Sequence, residues 1–129
     1  MRCNIHFTED GKLIANVYSH FDGNPLAIRQ RMQEFFLTLK EEEPYAPHLF
    51  NAASLSAKFV VWQGVEWSSR NHKLDFIGLE LGVEDHPQTE AIYQVQCDNK
   101  EKQPLIRWRF KDETKWRLGL DHDCYTESM

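Results

Sequence analysis

The chain has 129 residues, of which 41% are hydrophobic and 27% charged, with a formal net charge of −5. This size and balance suit one globular domain over residues 1–129 and exclude a disordered polypeptide or a miniprotein that depends on disulfides. The acidic balance argues against a dedicated nucleic-acid binder, whose affinity comes largely from neutralising phosphates.

The cysteines, Cys3, Cys97 and Cys124, are odd in number and widely spaced, without a Cys-x-x-Cys pair. Reduced thiols in a cytoplasmic protein are the expectation, with no zinc-ribbon or other metal site. The first residues hold no apolar run of leader length, and no stretch approaches the roughly 20 apolar residues that span a bilayer. No membrane association is expected.

Residues 2–8 alternate, with Cys3, Ile5 and Phe7 on one side and Asn4, His6 and Thr8 on the other. A period of two predicts a half-buried strand. Asp10-Gly11 is a hairpin signal, and residues 12–19 read as the returning strand. In the segment 20–25, Gly23 is expected to supply an unusual backbone angle. Asn24 is expected to cap a helix that has Pro25 at its first position.

That helix carries Ile28, Met32, Phe35, Phe36 and Leu39 at spacings of three and four, and is expected to end near Lys40. Arg29, Gln30, Arg31, Gln33 and Glu34 are assigned to its solvent face. Residues 41–47 read as a loop and His48 to Gln63 as a second helix, although its FVVW ending also suits a strand. Residues 64–73 read as a polar loop. Three alternating segments follow: 77–83, then Tyr93, Val95 and Cys97, then Ile106, Trp108 and Phe110. Turns at 85–88 and 98–103 separate them and favour an antiparallel meander. Residues after 117 read as a short extra element or a tail. The order β-β-α-α-β-β-β predicts an α+β two-layer domain: an antiparallel sheet with two helices on one face.

Three polar groupings have chemical potential. Tyr18, His20, Asp22, Gly23 and Asn24 sit where a strand hands over to a helix. His20 can act as a general base, Asp22 as its orienting carboxylate, and Tyr18 as an auxiliary group. The same residues can instead bind a ligand. The plainer reading is a structural turn, in which Asp22 bonds backbone amides. Asp121-His122-Asp123-Cys124, with Glu84, Asp85 and His86, supplies metal-ligand types without a zinc spacing. Arg107, Arg109 and Lys111 share one side of a strand whose other side holds Trp108 and Phe110. A basic strand face can track phosphates, but pairing with Glu80 and Glu84 across the sheet is the simpler expectation. Phosphate-binding glycine loops and the Gly-x-Ser-x-Gly elbow are absent from the sequence, and no cofactor is expected.

The opening hairpin followed by Tyr18-x-His20-aromatic-Asp22-Gly23-x-Pro25 resembles a family of small proteins from bacteria and their phages. Residues 51–57 and Ile92-Tyr93-Gln94-Val95 are similar to its second helix and later strands. Phe21 and Asn24 replace the Trp and Tyr usual in that family. The resemblance implies the fold and a focus on residues 18–25, and it carries no reaction. The leading expectation is a non-enzymatic interaction protein that binds another protein, with homo-oligomerisation compatible. A small-ligand binder or hydrolase-like enzyme centred on His20 and Asp22 is the alternative. Nucleic-acid contact through the region from Arg107 to Arg117 is a third reading.

Overall fold

A computed structural model describes residues 1–42, 51–71, 74, 77–97 and 104–118. The opening hairpin pairs β1 (Cys3–Glu9) with β2 (Lys12–Ser19), and β2 has the bounds expected from the sequence. At its tip Asp10 and Gly11 have φ angles of 51° and 78°. Two successive left-handed residues give the tight turn whose twist matches its strands.

Helix α1 (Pro25–Glu42) begins as its sequence predicts. The Asn24 side-chain oxygen accepts the Ala27 N–H at 2.9 Å, and Pro25 takes the first helical position. Ile28, Met32, Phe35, Phe36 and Leu39 are all buried. Glu41 and Glu42, expected in a loop, form the last helical residues, and Arg31, assigned to the solvent face, is buried.

Helix α2 (Ala52–Asn71) runs well past Gln63, through residues that read as a polar loop. Gln63 and Trp67 extend the buried stripe of Ala52, Leu55 and Phe59, so tertiary burial overrides the polar composition. The expected start at His48 and the loop residues 43–47 lie outside the described residues. The Asn51 side-chain oxygen accepts the Ser54 N–H, and Glu9 of β1 accepts the Ala52 N–H at 2.9 Å. A carboxylate there satisfies an otherwise unpaired amide and suits the positive end of the helix dipole.

Strands β3 (Leu79–Gly82), β4 (Ala91–Gln96), β5 (Leu105–Phe110) and β6 (Arg117–Leu118) complete one sheet in the order β3-β2-β1-β4-β5-β6. The α+β architecture is as expected, with the two-residue β6 added. The sheet is mixed rather than wholly antiparallel, because β1 and β4 run parallel with Cys3 opposite Ala91 and Phe7 opposite Val95. The meander also fails in part. β4 and β5 form the expected antiparallel pair, but β3 pairs with β2. Residues 83–90, read partly as a turn, therefore carry the chain from one side of the central hairpin to the other. The expected turn at 98–103 lies outside the described residues.

The register places Cys3, Ile5, Phe7, Val17, Ala91, Tyr93, Val95 and Trp108 on one face, in a single core with both helices. Phe59 of α2 joins the layers, with ring centroids 5.7 Å from Phe7 and 5.4 Å from Phe35 of α1. Leu81 has the alternation of a core strand yet is 72% exposed at the sheet edge. No helix among the described residues is long and apolar enough to cross a membrane.

Candidate functional site

Strand β2 ends at Ser19, and the next residues pass from one sheet face to the other. The register puts Tyr18 on the helix-free face and Ser19 beneath the helices. The expected His20–Asp22 pair does not form. His20 Nδ1 instead shares a 3.0 Å hydrogen bond with the Tyr18 hydroxyl, and the Asp22 carboxylate is exposed. The left-handed angle also falls elsewhere than expected: Asp22 has φ 52°, while Gly23 does not. Glycine at position 23 is required by crowding. A Cβ there would lie 2.7 Å from the Met1 carbonyl oxygen and 2.9 Å from Cys3 Cβ. The Tyr93 hydroxyl donates to the Gly23 carbonyl at 2.7 Å, and Asn24 serves as the helix cap.

On the helix-free face, Tyr18 belongs to a polar network held over β1 and β2. Its ring stacks on His86 at 3.9 Å between centroids. The His86 N–H donates to Asn4 Oδ1, and Asn4 Nδ2 donates to Asn16 Oδ1 at 2.7 Å. Asp85 Oδ1 accepts from Asn16 Nδ2 at 3.0 Å and lies 2.6 Å from His6 Nε2. Burial alone would raise the Asp85 carboxyl, but the hydrogen bonds from His6 and Asn16 outweigh it and hold its pKa below the ordinary value. Burial pushes the Tyr18 phenol up, with Arg2 opposing, so it stays neutral at neutral pH. Sequence reading missed this network because its partners lie some 80 positions apart. Although His6 and Asp85 have the geometry of a base and its orienter, no hydroxyl or thiol among the described residues is hydrogen-bonded to His6. The contacts fasten the 83–90 crossover to the sheet.

Beneath the helices, the other half of the segment caps Arg31. Arg31 is only 8% exposed. Its Nε–H donates to Gln63 Oε1 at 2.5 Å, and Nη1 donates to Ser19 Oγ at 3.2 Å and the Asp22 carbonyl at 3.3 Å. The Trp67 ring covers the guanidinium at 4.9 Å and Phe59 lies at 5.7 Å. No carboxylate among the described residues comes within ion-pair distance, and Nη2, sealed from solvent, has no hydrogen-bond partner there. Burial pulls the Arg31 pKa down, and Cys3, Asp22 and Tyr93 oppose it. A guanidinium remains charged at neutral pH regardless.

Arg31 lines a pocket of about 270 Å³ between α1, α2 and the Asp22 turn. Gln63 and Trp67 are buried beside it, while Asp22, Gln30, Glu34 and Glu66 stand exposed at the rim. The sequence offered one signal for this site. Arg31 falls three residues after Ile28 and four before Phe35, at the border of the apolar stripe rather than opposite it.

The nucleic-acid candidates are committed elsewhere. As expected, Trp108 and Phe110 face the helices, while Arg107 and Arg109 project from the other face. The expected pairing with Glu80 and Glu84 does not occur, since those acids lie at the far β3 edge. Arg107 Nε donates to Gln94 Oε1 at 2.7 Å, and both arginines lie over the Trp116 ring at 4.4 and 5.0 Å. Arg109 also donates to the Glu113 carbonyl at 2.7 Å, and Lys111, just past the strand, to the Pro87 carbonyl at 3.2 Å.

No cluster of metal-ligating side chains occurs among the described residues, and 121–124 lie outside them. Cys3 and Cys97 are buried free thiols. Burial pushes the Cys3 thiol up to about 12 despite nearby Arg31, which leaves it unreactive. Compared with known proteins, the chain matches no family model, no curated protein and no solved structure.

Proposed function

We propose that this protein is a binding module that takes an anionic group of a small ligand at Arg31. The supporting observation is a buried guanidinium with no carboxylate partner among the described residues, at a pocket between the two helices. A buried charge is costly unless it is paired, and an incoming carboxylate would supply the missing partner and hydrogen bonds. The proposed site is thus centred nearly two helical turns past the segment the sequence pointed to, and it shares Asp22 with that segment.

The reading is tested by thermal unfolding in increasing propionate, with sodium chloride of equal ionic strength as control. Saturable stabilisation by propionate alone is expected, following the mass action of a ligand that binds only the folded state. Identical behaviour in the two salts would overturn it.

A second reading, a surface for another protein or a second copy, is supported by an apolar groove of about 420 Å³ on α1 and α2. Phe35, Leu39 and Trp62 line it together with Val61 and Val65, which are 66% and 60% exposed. On this reading Val61→Glu weakens self-association or partner binding measured by sedimentation. Unchanged association in that variant would argue against it.

A further inference from the structure

We infer that the ligand of the Arg31 pocket is zwitterionic: a small amino-carboxylate whose carboxylate meets Arg31 and whose ammonium meets Asp22 and Glu34. The inference rests on the anion-binding reading and adds the second charge. The order of charges with depth supports it. At the floor stands Arg31, 8% exposed and the single cation among the described residues of the lining. At the rim stand carboxylates from two elements, Asp22 on the turn and Glu34 on α1. A simple anion must pass those carboxylates to reach Arg31. A simple cation would add a second positive charge close to a buried guanidinium. A molecule with both signs, carboxylate leading, satisfies both layers.

The rim groups are suited to that role. Arg31 holds the Asp22 carbonyl, and the positive φ of Asp22 fixes the turn, so its carboxylate projects from a defined position. Among the described residues the Glu34 carboxylate accepts only a long 3.4 Å bond from Gln30, a neutral donor, which leaves its charge uncompensated there. Between floor and rim, Trp62 and Trp67 offer ring surface to the methylenes of the ligand. Nη2 is sealed from solvent and the Trp67 ring lies over the guanidinium at 4.9 Å, so a carboxylate held by Arg31 sits close to that ring. Binding should therefore change tryptophan fluorescence.

The test is a fluorescence and calorimetric titration of the intact protein with propionate, propylammonium and the series glycine, β-alanine, 4-aminobutyrate and 6-aminohexanoate. At least one amino acid should bind about threefold to fivefold tighter than propionate, the upper part of the range expected of a solvent-exposed ion pair. Asp22→Asn and Glu34→Gln should each reduce that advantage and leave propionate binding equal or tighter. Asparagine tolerates the left-handed backbone of Asp22, and Glu34 is exposed, so both variants should fold. Propionate binding with no gain for any amino acid would overturn the zwitterion and spare the anion site. Absence of binding by propionate and by every amino acid would overturn both. Propylammonium binding as tightly as the best amino acid would remove Arg31 from recognition.

Discussion

Asp85 illustrates how one carboxylate ties distant parts of this chain together. It receives hydrogen bonds from His6 on β1 and Asn16 on β2, and so anchors the crossover between β3 and β4. Its pKa is held below the ordinary 3.8, so folding favours its ionised form. The stability linked to this shift is present above about pH 4 and disappears as pH falls through the folded-state value. Urea unfolding of the wild type and Asp85→Asn should show the variant less stable at pH 7, with the gap narrowing below about pH 4. A gap that is constant with pH would deny the carboxylate this role. At this scale the sequence was a partial guide. Tyr18, His20 and Asp22 were singled out as one candidate site, with His20 as base and Asp22 as its orienter, and that pairing does not form. His20 bonds Tyr18 rather than Asp22, and Tyr18 stacks on His86. Local spacing reports which side chains are close along the chain. It does not report which face of a sheet each one meets after a turn with φ 52° at Asp22.

The helices were legible wherever local rules act alone. Asn24 and Pro25 mark the start of α1 because a side-chain cap and a fixed φ need no tertiary partner. Asn24→Ala should therefore destabilise the protein by about 1 kcal/mol, the usual worth of such a cap, measured by urea unfolding. An unchanged midpoint would mean that another group satisfies the Ala27 amide. The end of α2 was illegible for the opposite reason. Gly64, Glu66 and Ser68 suggest a loop, but Trp67 docks on Phe21 at 5.9 Å and over Arg31 at 4.9 Å. Burying one indole outweighs the weak helix propensity of its neighbours. Arg31 was misplaced by the same logic, since a charged residue bordering an apolar stripe is ordinarily solvated.

Across the whole molecule, β1 is paired on both sides, antiparallel to β2 and parallel to β4, beneath the helices. Strand β3, on the outer side of β2, is paired on one side and carries the exposed Leu81. Local opening is easiest where few apolar contacts are lost, so amide exchange should be slowest in β1 and much faster in β3. Equal protection of the two strands would show that the sheet opens as one unit. The sequence by itself determined the hairpin, the apolar stripe of α1, the cap at Asn24, the alternation of β4 and β5 and the α+β class. Each of these follows from periodicity or turn chemistry within a few residues. Only the tertiary structure decided the parallel pairing of β1 with β4, the His6–Asp85 anchor and the burial of Arg31 against Gln63 and Trp67. Alternation sets which side chains share a face of a strand but leaves open which strand lies beside it. The partners of a buried charge come from elements that meet only when the layers pack.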